Sequence, residues 1–576
     1  DVYKRQAHGR ASFEIQVSRG NHWIMEDYRE TESAARAVAK KILAKHQYEG
    51  VRVVKNWLRG DGVVTETVVF VEMASAQPLV NVTIVPIEMS PYCRKTEEYY
   101  RLESRGTINR LFRKYLERVY LTPTELIHNY KALKKIQAVE TLFPAAVDRV
   151  ATIQARFAGE EPRDRRDEVY RAVARMTSRA READEHPGLP KLKGDDFGKI
   201  LAKIEQFAAP DDVNFYSLVV LSRDLVERRS WLAKLERLVL LTDPAQRVEA
   251  FALLDGVIAD LFGVPSALQD VLGVQRNLAE ALCAIADLYD GRFDNERSDA
   301  RGQLAILSPL LAGGRLEETR RALLERLLRQ LSGVQPLNRH DPSREREAFR
   351  EVARRLFRPD GLMGGADAAE ALTRRFVLLG QAGGQAGLRQ AVGGVVVTLA
   401  DPLFSVTYLL ELAASPLGAG LIAEILANLH RLIGVPDINF LAPAASPVKD
   451  KLLRITRIYE VIASTGGVPD GERARLLDRL DEVLSGYIKR EGVIERLDNP
   501  SAPLRDRAIR LLEFCAARVL PPASKAQALA RERVVALLRQ PNFEERCVAD
   551  ISSPARGEEV LRNLHALMAR GGFRLH

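Results

Sequence analysis

The chain has 576 residues, too many for one hydrophobic core, so roughly three to five structural units are expected. Its 46% apolar and 28% charged content excludes wholesale disorder. Aromatics are scarce at 6% while Leu, Ala and Arg abound, which favours helices packed by aliphatic side chains over β-sandwiches. Four scattered cysteines (Cys93, Cys283, Cys515 and Cys547) show no CxxC spacing, which argues against a disulfide framework or structural zinc and for a reducing compartment.

In chain order, residues 1–9 (opening Asp-Val-Tyr-Lys-Arg-Gln) read as a non-native scar and stay outside the fold reading. Residues 10–75 read as a small α+β domain in the order β-β-α-β-β. Phe13, Ile15 and Val17 alternate with polar neighbours, and a turn at Gly20-Asn21 leads to a second strand around 23–28. Ala34, Ala37, Val38, Ile42 and Leu43 then recur at helical spacing behind a Thr31 or Ser33 cap. Strands follow at 51–57 and 64–71, with Asp61-Gly62 as the hairpin signal between them. Residues 76–93, carrying Pro78, Pro86 and Pro91, read as a linker with an added edge strand at 80–85.

From 94 onward about twenty amphipathic helices are expected, divided into a first half at 94–340 and a second at 341–576. Their starts are marked by a capping residue followed by proline: Thr122-Pro123 with Glu125 completing a capping box, Asp243-Pro244, Asp341-Pro342, Asp401-Pro402, Ser446-Pro447 and Ser553-Pro554. Segments 243–262, 401–433 and 499–540 are loosely alike without a fixed period. The expectation is a mostly α fold, an irregular α-solenoid-like array behind the small α+β domain.

The net charge of +8 is unevenly spread. Residues 94–136 hold eleven Lys/Arg against five Glu, whereas 137–576 hold 62 basic against 61 acidic side chains. A first amphipathic stretch turns Ile108, Leu111, Phe112, Tyr115, Leu116 and Val119 one way and Arg110, Arg113, Lys114 and Arg118 the other. A second turns Leu126, Ile127, Tyr130 and Leu133 inward and Lys131, Lys134 and Lys135 outward. These seven cations form the candidate anion- or partner-binding set, with six of the fifteen tyrosines in or beside the region. Arg163, Arg165, Arg166, Arg171, Arg175 and Arg179 are interleaved with Asp164, Asp167 and Glu168 and read as a solvated, self-neutralised face.

Local catalytic signals dissolve when their surroundings are read. Asp196-Phe197-Gly198 spells a kinase magnesium triplet without the rest of that machinery, so Asp195 and Asp196 read as a helix start. Ser446-Pro447-Val448-Lys449 fits Ser-x-x-Lys, but Pro447 makes Ser446 a helix cap. Glycines 380, 383, 384, 387, 393 and 394 lack the Lys-Ser/Thr of a phosphate loop and read as a connector between helices. Nine histidines show no HExxH and no cluster with Cys or Asp. Trp23 and Trp57 read as core residues packed on the single helix of the small domain. Asn81-Val82-Thr83 is a formal glycosylation sequon without secretory context.

No catalytic residue, metal or cofactor is expected, and no run of 18 uncharged apolar residues exists. The expected function is a non-enzymatic scaffold or regulatory protein that offers a helical-repeat surface to another protein. Its expected setting is the cytoplasm of a bacterium with a GC-rich genome. The alternative is a nucleic-acid-associated protein that grips phosphates through the basic helices at 94–136.

Overall fold

The computed structural model describes residues 11–19, 22–44, 48, 50–58, 64–73, 82–194, 196–243, 247–295, 298–380 and 383–573. Residues 1–9, the Gly20-Asn21 and Asp61-Gly62 turns and the Asp243-Pro244 start are outside that set, wholly or in part. Among the described residues there are 28 α-helices, a four-stranded sheet near the N-terminus and one two-stranded ribbon at Phe357–Leu362. The fold is mostly α with a small β-containing domain.

That domain follows the β-β-α-β-β order: β1 (Ala11–Arg19), β2 (His22–Arg29), α1 (Glu32–Ala44), β3 (Gly50–Leu58) and β4 (Val64–Met73). The sheet is antiparallel in the order β2-β1-β3-β4, so β1 sits inside and α1 carries the chain across it. Opposed pairs Ile15–Val53 and Val17–Val51 turn toward α1, where they bury against Ala35, Ala39 and Leu43. Trp23 departs from the expected core position. It pairs with Ser18 on the sheet face away from α1, and its half-buried ring lies 4.6 Å under the Arg52 guanidinium. The side chain of Trp57 is outside the described set.

Residues 82–93 are a second correction. No strand forms at 82–85; Val82 and Ile87 instead bury in a helical core with Leu111, Tyr115 and Ile136. The backbone there is satisfied by helices: Val85 N donates to Leu111 O at 2.9 Å, and Arg149 Nε to Ile87 O at 2.7 Å.

The chain as a whole divides into two compact units, one of Asp1–Arg276 with Ala284–Leu327, the other of Asn277–Cys283 with Leu328–His576. The sequence reading divided the array at 340/341. The first unit contains α2 (Leu102–Leu111), α3 (Arg113–Val119), α4 (Pro123–His128), α5 (Tyr130–Gln137), α6 (Phe143–Ala158) and α7 (Pro162–Glu185). Then come α8 (Phe197–Ile204), α9 (Pro210–Val226), α10 (Trp231–Leu241), α11 (Val248–Gly263) and α12 (Pro265–Leu272). The chain continues through α13 (Leu278–Tyr289), α14 (Arg301–Ala312) and α15 (Glu317–Leu331). Helices close in sequence pack together, as α6 does on α7 and α8 on α9. The second unit repeats that habit: helix Gly365–Leu379 packs on Gly384–Leu399 and on Pro402–Ala413, and Val448–Ser464 packs on Asp470–Arg490. No single helix among the described residues is long and apolar enough to cross a membrane.

One device recurs in both units. A buried or half-buried carboxylate on one helix accepts the unpaired N–H groups at the start of another. Asp255 on α11 takes Glu318 N at 2.8 Å and Thr319 N at 3.0 Å as α15 begins. Asp481 takes Lys525 N at 2.6 Å at the start of helix Lys525–Leu538, and Glu370 takes Leu417 N at 2.8 Å. The first turn of a helix leaves four N–H groups without partners and carries a partial positive charge, so these contacts fix helix-to-helix register as well as satisfying donors.

Local starts follow the sequence closely. Thr122 and Glu125 form the capping box, Asp196 caps α8 through Lys199 N at 3.0 Å, and Asp401 caps its helix through Phe404 N at 3.1 Å. Two expectations shift. Helix Val448–Ser464 starts with Pro447 at the cap position, so Ser446 lies one residue outside it. Glycines 384, 387, 393 and 394 belong to helix Gly384–Leu399 and form no connector. A Cβ at Gly394 would fall 2.2 Å from the Phe376 ring, so glycine there permits close helix packing.

Candidate functional site

Two basic helices were expected within 94–136; four short ones form. Phe112 ends α2, leaving the α region at φ −97° and ψ 14°, and Tyr120 ends α3 in the left-handed region at φ 51°. Asn129 breaks the next stretch in extended conformation and caps α5, its Oδ1 accepting from Ala132 N at 3.0 Å. The faces nevertheless fall as the periodicity required. Leu111, Phe112, Tyr115, Leu116, Leu126 and Ile136 share one buried core.

The seven cations separate into three kinds. Arg113 and Lys114 on α3, and Lys131, Lys134 and Lys135 on α5, are exposed, and among the described residues none has a carboxylate within ion-pair distance. Arg110 is committed inside the unit, its Nη1 2.7 Å from Glu325 on α15 and its Nη2 3.2 Å from Thr107 Oγ1. Arg118 is half-buried on α3. The tyrosines mostly face inward: Tyr115 is buried in the core, and Tyr100 packs on His128 and Phe215 with ring centroids 5.3 and 5.5 Å apart.

Beneath these helices is an ionic network that sequence reading missed. Arg105 on α2 is buried, with Nε donating to both Asp260 oxygens at 2.9 and 3.1 Å. Its Nη1 reaches Tyr100 O at 2.8 Å, and its Nη2 reaches Gly256 O at 3.1 Å and Glu318 at 3.0 Å. Asp260 on α11 also accepts from Thr124 N at 2.9 Å and Thr124 Oγ1 at 2.6 Å, so one carboxylate joins α2, α4 and α11. Glu125 on α4 accepts from Thr122 N at 2.9 Å and contacts the Lys234 ammonium of α10, both side chains wholly buried. Lys234 Nζ also donates to Leu225 O at 2.7 Å. Burial drives the Lys234 pKa down, while the adjoining Glu125 carboxylate opposes that shift.

His128 belongs to the same wall. Burial lowers its pKa from 6.5 to about 3, so its ring is neutral near pH 7. Because Nδ1 lies 2.8 Å from the Thr124 carbonyl oxygen, Nδ1 carries the proton. An apolar cavity of about 100 Å³ is lined by Ile108, Leu111, Leu126, Ile136, Val150 and Met176, among others. With almost no polar lining it offers water no partners.

The only sequence cues to this network were Asp255 and Asp260, isolated carboxylates in the apolar stretch of α11. Their partners are more than 60 residues away, so spacing along the chain could not reveal them. Chemically the arrangement ties α2, α4, α10 and α11 together through buried ion pairs and leaves ammonium and guanidinium groups exposed on α3 and α5. Among the described residues no group of three or more His, Cys, Asp or Glu side chains is placed to hold a metal ion. Comparison of the chain with family models, with curated proteins and with solved structures returned no match.

Proposed function

We propose that this protein is a non-enzymatic scaffold or regulatory protein of the cytoplasm that docks an acidic segment of another protein on α3 and α5. The carrying observation is the contrast at one wall: inside, every named charge has a partner; outside, Arg113, Lys114, Lys131, Lys134 and Lys135 have none among the described residues. Exposed cations without local counter-ions attract anionic partners at long range and set the rate and specificity of encounter. The buried network anchors α4, which lies between α3 and α5 in the chain, to α2, α10 and α11.

The same five cations support a second reading, contact with nucleic-acid phosphates. Single-strand binding normally adds aromatic rings on which bases stack, and Tyr115 is buried in the core and turned away from that use. The acidic-protein reading therefore comes first.

The full chain and a variant with all five residues changed to Glu are immobilised and exposed to cell lysate at low salt. The reading predicts proteins with acidic segments that the wild type retains, that the variant loses, and that moderate salt elutes. Identical retention by both baits contradicts it, and recovery of nucleic acid alone favours the second reading.

A further inference from the structure

A second group of cations, on none of the helices just described, surrounds a pocket of about 200 Å³ between the segment Cys93–Lys95 and α7. Five basic side chains line it: Arg94, Lys95, Arg165, Arg171 and Arg175. Sequence reading had placed the α7 arginines on a self-neutralised face, because Asp164, Asp167 and Glu168 stand between them. The structure distributes the charges differently. Glu168 is the one carboxylate among the lining residues, and it is engaged by Arg165 Nη1 at 2.6 Å.

Arg165 is the fixed floor. Its side chain is 2% exposed, with Nε donating to Gln154 at 2.8 Å and Nη2 to the Cys93 carbonyl. Arg175 Nε is held by Thr96 Oγ1 at 2.8 Å and Arg171 Nε by the Asp167 carbonyl at 3.3 Å, both neutral acceptors. Among the described residues, Arg94, Lys95, Arg171 and Arg175 have no carboxylate within ion-pair distance. Glu98, close by in sequence, is occupied: its Oε2 accepts Arg94 N at 2.6 Å and Lys95 N at 3.1 Å, and its Oε1 lies 3.5 Å from Arg101. The remaining titratable lining groups carry no charge near neutral pH. Burial pushes the Tyr99 phenol up to about 12 and raises the Cys93 thiol above its ordinary value.

Such a surplus of guanidinium groups around a small polar space is self-repelling unless an anion or ordered solvent enters. Arginine presents planar forked donors that match phosphate oxygens, and charge-assisted contacts of this kind are the strong ones. The volume is below the range of about 300–1,000 Å³ usual for drug-sized ligands, so it suits a compact group more than an extended chain. We infer that this pocket binds a phosphate-class oxyanion, free phosphate or the phosphate of a small monoester, with Arg165 as its fixed base and Arg94, Lys95, Arg171 and Arg175 closing over it. This site uses no residue of α3 or α5 and stands independently of the docking reading.

The test is calorimetric titration of inorganic phosphate and of phenyl phosphate into the full chain, with chloride matched for ionic strength. The wild type, R171Q/R175Q and the outlying control R163Q are compared. The inference expects saturable binding that the double variant weakens by about tenfold or more, the loss of one to two charge-assisted contacts, and that R163Q leaves unchanged. Tighter binding of phenyl phosphate assigns an esterified ligand, and equal binding assigns the free ion. Two results overturn the inference: no saturable heat at tens of millimolar phosphate, or equal affinity in wild type and R171Q/R175Q. Arg171 and Arg175 are exposed, so their loss leaves the core intact, and matching unfolding midpoints verify it.

Discussion

The basic helices at 94–136 and the arginine-rich helices of the second unit use the same residue types to different ends. In the second unit Arg473, Arg475, Arg479, Arg490, Arg505 and Arg507 each lie against a carboxylate, several of them one turn away on the same helix. Those pairs are mostly exposed and individually contribute little, about 0–1 kcal/mol, but they neutralise the surface. On α3 and α5 five exposed cations are left without such counter-ions among the described residues. A cation's function is therefore set by what lies within about 4 Å of it, and the number of arginines in a region says little.

The contrast between a paired interior and an unpaired exterior breaks most sharply at Lys234. Lys234→Met leaves the Glu125 carboxylate buried without its ammonium, a change that costs about 3–5 kcal/mol. The unfolding midpoint of the full chain should fall by several degrees. Adding Glu125→Gln should recover part of the loss, because the uncompensated buried charge is gone.

His128 gives the next largest effect, and it depends on pH. Its pKa is about 3 in the folded chain against an ordinary 6.5, so the unfolded chain takes up the proton first on acidification. The stability this provides is complete above about pH 6.5 and is lost progressively as pH falls toward 3. By pH 4.5 the loss should reach roughly 2–3 kcal/mol. Midpoints measured from pH 7 to 4.5 should fall less steeply in His128→Phe than in wild type.

Smaller again is Asp255→Ala, which leaves Glu318 N and Thr319 N at the start of α15 without an acceptor. Loss of an N-terminal cap costs about 1–2 kcal/mol. Urea unfolding should show that loss, and Asp255→Asn should recover some of it. Smallest of all, changing Arg113, Lys114, Lys131, Lys134 and Lys135 to Gln should change the unfolding free energy by no more than about 0.5 kcal/mol for any one residue. A large destabilisation there would mean that these side chains hold the fold together, and the contrast would lose its meaning.

Much of this was legible in the sequence because it is local. Period-two alternation at Phe13, Ile15 and Val17 marked the first strand, and Thr122-Pro123 with Glu125 marked the start of α4 to the residue. The inward and outward faces of 108–136 followed from helical spacing even though the helices break at Phe112 and Asn129, because both breaks preserve the buried side. Glycine was misleading: at 394 it serves close helix packing, which depends on Phe376 in another helix. Arg105, Asp260, Lys234 and the arginine pocket on α7 were illegible for one reason. Their meaning comes from partners up to 213 positions away, and periodicity carries no information on that scale.

The docking account is tested most directly by titrating a glutamate-rich peptide into the full chain and into the variant with Arg113, Lys114, Lys131, Lys134 and Lys135 changed to Glu, at low and at high salt. The account predicts saturable binding to the wild type, steep weakening as salt rises, and none to the variant. Equal binding by the two proteins, or an affinity indifferent to salt, would contradict it.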